Sequence, residues 1–223
     1  IITCSSIKNK KIFDLTVGGF GLTGLIISAE IKLKKISSEI INQKIVEFKN
    51  YGEFYSIYKK NNYHEYAVSW IENFDKNKLK GLHFFGNHST IRKKTKIKFK
   101  EKKINFFQLL TLKIFLKNYY LSKIMNFVFK YYKKFFYKKN SNINDFFYPQ
   151  DHILDWNKAY GSNGFFQIQF IVKKENFQNL FDDFSLYFKK KMIYSCFIVV
   201  KKLKEKGKFL NYSGDGYSIS FDF

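Results

Sequence analysis

The chain is poor in the residues that build staples, metal cages and phosphate forks. It has one proline and two cysteines, and arginine is nearly absent. Cys4 and Cys196 cannot make a disulfide framework, and no C-x-x-C pair or His/Cys cluster has metal-ligand spacing, so no metal site is expected. No apolar run reaches the roughly 20 residues of a bilayer span, and no signal peptide is legible. The expected location is the cytoplasm, with a membrane surface as the one qualification. The formal charge of +22 would ordinarily point to nucleic acid. That reading is weakened by the kind of charge, because it is almost all lysine, while Lys, Phe, Tyr, Ile and Asn are inflated together as AT-rich coding inflates them. A dedicated phosphate reader would favour the bidentate guanidinium. No nucleic-acid partner is therefore expected.

What is present begins with Thr16 to Lys34, where Gly18, Gly19, Gly21 and Gly24 crowd into one turn. Glycine has no Cβ, so such a turn can take positive φ and admit another group close to the backbone. Gly19-x-Gly21-x-x-Gly24 satisfies the form of a dinucleotide fingerprint, which carries meaning only between a strand and a helix. Here Leu25, Ile27, Ala29, Ile31 and Leu33 alternate with the residues between them, a strand period, so a Rossmann helix is not expected. A plain turn and a cofactor-contacting turn both remain open on these residues alone.

At 223 residues the chain is long enough for a sizeable core. It begins at Ile1 and ends inside the strand-like Tyr217 to Phe223, which reads as a fragment cut at both ends. Ile1 to Cys4 reads as a strand end. Further strands are expected over Glu39 to Phe48, His64 to Glu72, Gly81 to Phe85, Phe165 to Val172 and Met192 to Lys201, with a turn and two strand segments from Gly207 to the end. Helices are expected over Asn50 to Lys60, Pro149 to Gly161 and Lys174 to Lys191, and a polar loop over Ser141 to Asp145. Thr90 to Lys103 reads as a polar connector.

Phe106 to Lys139 mixes aromatic and aliphatic residues with lysines and has no Gly or Pro. It is the strongest amphipathic signal in the chain. Two uses are open: a helical pair covering a sheet, or a helix lying in a membrane interface with its ammonium groups near lipid phosphates. The implied class is α+β, an antiparallel sheet with helices on one face.

On one strand face Gln167 and Gln169 present amide donors and acceptors, suited either to solvent or to a polyhydroxylated ligand. With these pieces placed, the order TVGGFGLTGLIISAEIKLK, YAVSWIE, FFYPQDHILDWNKAYGSNGFFQIQF, VVKKLK and GYSISFDF resembles the decaprenylphosphoryl-β-D-ribose oxidases. These are FAD-dependent enzymes of the vanillyl-alcohol oxidase type. The resemblance runs through nearly the whole chain, and the segment with Trp156, Tyr160 and Gln167 carries more of it than the glycine turn.

The resemblance implies that residues 1–36 are the end of an FAD-binding subdomain and 37–223 a substrate domain truncated at its C-terminus. It makes Gly24, Leu25 and Ile26 the backbone against the adenine-diphosphate half of FAD. It makes Trp70 a pocket wall, Gln167 and Gln169 polar lining, and Lys201 the catalytic cation, a buried ammonium near flavin and sugar that holds a substrate oxygen or stabilises charge growing on the flavin. Phe147 stands where relatives often have Tyr, with Tyr148 next to it, and Ser218 and Ser220 stand where relatives commonly have Asn and Cys. The implied activity is oxidation of a sugar hydroxyl, at C2 of a polyprenyl-phosphate ribose, by hydride transfer to flavin. The implied partners are a lipid-linked sugar, a membrane surface met through 106–139, and a reductase completing an epimerisation. A different sugar or sugar-lactone oxidase, or a non-enzymatic basic binding module, would share much of the same pattern.

Overall fold

A computed structural model describes residues 1–91, 102–103, 105–151, 153–195, 197–203 and 212–223. The connector over 92–101, the turn from Gly207 and Cys196 lie outside them. In chain order the elements are α1 (Lys10–Thr16), β1 (Ile40–Phe48), α2 (Tyr51–Lys60), β2 (Tyr66–Asp75), β3 (Lys78–His88), β4 (Lys102–Lys103), α3 (Phe106–Lys117), α4 (Tyr119–Phe135), β5 (Asn140–Asn142), α5 (Ile143–Phe147), β6 (Ile153–Leu154), β7 (Gln167–Val172), α6 (Phe177–Lys191), β8 (Ile198–Leu203) and β9 (Gly216–Asp222). Single 3-10 turns occupy Trp156–Tyr160 and Lys174–Asn176.

The fold is α+β. Seven strands in the order β5-β1-β3-β2-β8-β9-β7 form one sheet, and every pairing in it is antiparallel. Side chains alternate across a sheet, so the register sorts each strand onto two faces. On one face Phe48, Ile71, Phe85, Val200, Ile219, Phe221 and Val172 meet Phe54 and Tyr58 of α2 and Phe177, Phe181 and Phe188 of α6. Both helices follow from local chemistry. Asn50 caps α2 by accepting from the Glu53 N–H, and α6 ends in three lysines that suit the negative end of a helix. The rings interlock, as in the near-parallel stack of Phe54 on Phe177 with centroids 5.3 Å apart.

His83 sits among these rings with no exposed surface, and its Nδ1 is 2.7 Å from Ser69 Oγ, which in turn lies 2.8 Å from the Tyr58 hydroxyl. Burial pushes its pKa down to about 3, so the ring is neutral in the fold.

Helices are not confined to that face. α4 and α5 pack on the other, through Trp70 against Phe129 and Tyr66 against Phe147. Local expectations also change. Residues 25–36 form neither helix nor ladder, and Leu25, Ile27, Ile31 and Leu33 are exposed. Alternation marks which side chains share a face, but a strand exists only where another strand supplies its hydrogen bonds, and none of the described residues does so here. Ile1 to Cys4 likewise joins no ladder among the described residues. The stretch from Ser141 holds the short strand β5, paired with β1, and α5, capped by Asn142. Among its described residues Pro149 to Gly161 holds the short strand β6 and a 3-10 turn ended by Gly161 at φ 115° rather than a helix, and β8 starts at Ile198 rather than Met192.

Candidate functional site

The face opposite α2 and α6 carries six of the side chains that the sequence singles out. Trp70 pairs with Val199, Val199 with Ser220 and Ser220 with Gln169, which makes one continuous row across four strands. In the neighbouring rows Lys201 pairs with Ser218, and Gln167 pairs with Asp222. Trp70, Lys201, Gln167, Gln169, Ser218 and Ser220 therefore share a face, spread over β2, β8, β9 and β7.

Hydrogen bonds tie the polar members together. Gln169 Nε2 donates to Ser218 Oγ at 3.0 Å, and the Tyr212 hydroxyl lies 2.9 Å from the same oxygen. Gln167 Nε2 donates to Asp222 Oδ1 at 2.7 Å. Each amide then keeps one N–H and its carbonyl oxygen for a ligand, and both glutamines are solvent-exposed. Ser218 and Asp222 are buried beneath them. Burial pushes the Asp222 carboxyl above its ordinary range, and the bond from Gln167 offsets this only in part.

One edge of the patch is aromatic. Trp70 meets Phe129 at 4.9 Å, and Phe197 meets Trp156 at 5.4 Å, with Phe129 and Phe197 6.5 Å apart. Tyr160 continues from Trp156 to a stack on Phe165 with centroids 4.8 Å apart. Trp70 Nε1 and Trp156 Nε1 are both buried donors with no acceptor among the described residues. An indole N–H left unsatisfied in a largely apolar wall is a group that an incoming oxygen would satisfy.

α4 is held over this edge by polar contacts. Lys130 Nζ donates to Glu72 Oε2 at 2.8 Å and lies 3.5 Å from Glu47 Oε1, while Asn126 Nδ2 donates to the Glu72 carbonyl. Desolvation pulls the Lys130 ammonium down, but the two carboxylates outweigh it and leave its pKa above the ordinary value.

Other expected site residues are placed differently. Phe147 lies on the same sheet face as the patch, against Tyr66 of β2, while Tyr148 beside it is exposed. Phe146 fits over Gly86, where a Cβ would come within 2.6 Å of its ring. Lys201 is solvent-exposed rather than buried. Gly24, Leu25 and Ile26 are exposed, and their segment meets the sheet through Lys34, which pairs with Glu65 and lies over the Tyr66 ring. Gly24 has φ 128° and nothing within 4 Å of where a Cβ would stand. That open backbone fits one flank of a flat cofactor, but the described residues form no enclosing crevice around it.

Asp222, Tyr212 and the Lys130–Glu72 pair did not emerge from the sequence as site residues. Asp222 had a signal, since it continues the every-second-residue series Ser218, Ser220. An open cavity of about 730 Å³ lined by Tyr55, Lys173, Lys174, Glu175, Gln178 and Asp215 lies beside α2, away from the patch. The sheet face is the better candidate because polar side chains from separate strands converge there in register.

An antiparallel α+β platform with an amide, hydroxyl and indole-lined face is the class of structure this defines. No family model matches the chain. Decaprenylphosphoryl-beta-D-ribose oxidase of Mycolicibacterium smegmatis is 29% identical to it over 180 residues, covering 75% of this chain and 38% of that protein. The relationship is distant, and the chain spans well under half the length of that curated relative. Among the described residues no helix is long and apolar enough to cross a membrane.

Proposed function

We propose that this chain supplies the substrate-binding sheet of a flavin-dependent oxidoreductase that oxidises a sugar hydroxyl, most readily C2 of a polyprenyl-phosphate ribose. One observation carries the reading: Trp70, Gln167, Gln169, Ser218, Ser220 and Lys201, chosen from separated sequence segments, share one sheet face in neighbouring rows. The distant oxidase relative supports the reaction class.

FAD, when bound, would accept the hydride. This chain's own contribution is to bind and orient. Gln167 and Gln169 offer amide groups to sugar hydroxyls, Trp70 and Trp156 offer indole N–H donors from an apolar wall, and Lys201 places a cation at the open end of the same face, suited to sugar or phosphate oxygens. The turn at Gly24 to Ile26 offers backbone to the adenine-diphosphate half of the cofactor.

The test uses the chain's two tryptophans, Trp70 and Trp156, both at the edge of the patch. Titration with a short polyprenyl-phosphate ribose is expected to change tryptophan emission saturably, and ribose 5-phosphate to act more weakly. An emission unchanged by the lipid-linked sugar would overturn the substrate assignment. Absence of flavin absorbance from the whole protein that carries this chain would overturn the cofactor class.

A further inference from the structure

α4 turns a mixed side to the sheet. The fully buried Ser122, Asn126 and Lys130 lie there with the half-buried Met125 and Phe129, whereas Tyr120, Ile124, Phe127, Val128, Tyr131 and Phe135 project outward with half or more of their surface exposed. Helical positions four and seven apart share a face, so these six form one stripe. α3 continues the theme with Phe106, Phe107, Leu110 and Ile114 exposed and no residue fully buried.

The orientation is specified by chemistry. Lys130 meets Glu72 and Glu47, Lys123 meets Asp75, and Asn126 meets the Glu72 carbonyl and the Tyr194 hydroxyl. Turning the helix over would leave a buried Glu72 carboxylate without its cation, which is strongly unfavourable. The aromatic face is thus held outward, and an exposed apolar face of that size marks an interaction surface.

Charge selects the occupant. Lys117 ends α3 and Lys138 and Lys139 follow α4, all three exposed, while Lys134 beside the α4 stripe is paired with Glu47. A second copy of a chain with net charge +22 would bring like charges together. Phenylalanine and tyrosine rings fringed by lysine match the boundary of an anionic bilayer, where rings enter the acyl margin and ammonium groups stay with the phosphates. We propose that the outward face of the α3–α4 pair docks this protein on an anionic membrane surface. The docking stands on the orientation of α4 and is independent of the oxidase reading.

Cosedimentation of the full chain with phosphatidylglycerol-containing vesicles tests it, against phosphatidylcholine vesicles and a salt series. The triple variant Phe127→Ser/Tyr131→Ser/Phe135→Ser keeps every charge and removes no buried side chain. Expected are binding to anionic vesicles that weakens with salt, and a loss of about tenfold or more in the triple variant. Lys138→Glu/Lys139→Glu should also weaken binding, with helix content unchanged by circular dichroism. The proposal fails if the unaltered chain ignores the vesicles, or if the triple variant binds them equally, which would mean adsorption by net charge alone. A dimer dissolved by the triple variant, without vesicle binding, would assign the face to a second copy and overturn it as well.

Discussion

Lys130 of α4 and Glu72 of β2 form a 2.8 Å ion pair in which each side chain keeps only 9% of its surface exposed. This contact fixes which side of α4 faces the sheet, and through α4 it fixes Phe129 against Trp70. Removing one partner of such a pair leaves the other charged and desolvated, at a cost of about 3 kcal/mol. Lys130→Met is therefore expected to lower the urea midpoint strongly and to change Trp70 emission. Lys130→Met combined with Glu72→Leu should recover most of the loss. Additive single effects would show that the two residues do not act as a pair.

That pair also explains what could be read from the sequence and what could not. Alternation in the strands placed Gln167 with Gln169 and Ile168 with Phe170, and the register confirms that such sets share a face. In α2 and α6 aromatic residues recur at helical spacing, and Phe54 and Phe181 on those faces are buried in the core. For α4 the sequence left two uses open and did not say which side meets the sheet, because the partner of Lys130 lies 58 residues earlier in the chain and is invisible to any local pattern. The stretch after Gly24 failed for a related reason. Its alternation is as regular as that of β7, but β7 has β9 beside it and residues 25–34 have no ladder among the described residues.

His83 sets an acid limit on the fold. Its folded pKa is depressed to about 3, below the ordinary value of 6.5, so the unfolded chain takes up the proton more readily. The stability due to the neutral buried ring is complete above the unfolded value and is lost as pH falls toward the folded one. From neutrality to a pH of about 4.5 the loss should be about 2–3 kcal/mol. His83→Phe keeps a ring between Phe48 and Phe54 and leaves Ser69 bonded to Tyr58. Its unfolding midpoint should fall less over the same interval, and parallel pH profiles for the two proteins would refute the assignment.

Gly81 lets β2 and β3 approach beneath the patch. A Cβ there would stand 2.1 Å from the Trp70 carbonyl oxygen and 2.7 Å from the Phe48 ring. Neither neighbour can yield, since one is sheet backbone and the other is core, so Gly81→Ala should cost about 2–3 kcal/mol. Gly52→Ala, in the first turn of α2 with its nearest neighbour 3.3 Å away, should stay within about 1 kcal/mol of the parent. Thermal unfolding of the two variants gives the comparison, and equal midpoints would count against the packing described for the sheet.

Asp222 is the buried carboxyl of the candidate site, and its folded pKa is raised by burial against the opposing bond from Gln167. For a carboxyl raised in the fold, the favourable contribution is present below the unfolded value and disappears as pH rises through the folded one. Near neutrality the ionised group is thus a net cost to the fold, tolerated because its oxygen holds the Gln167 amide at 2.7 Å. Asp222→Asn preserves that acceptor and removes the charge. It should equal or exceed the parent in urea midpoint at neutral pH, and the advantage should shrink as the medium is acidified toward a pH of about 4. Lipid-linked sugar binding, followed by tryptophan emission, should persist, because Gln167 keeps its anchor. An Asp222→Asn variant whose midpoint falls below the parent's at neutral pH would show that the patch stabilises the carboxylate, and would move Asp222 from a support of Gln167 to a charged group on the ligand face.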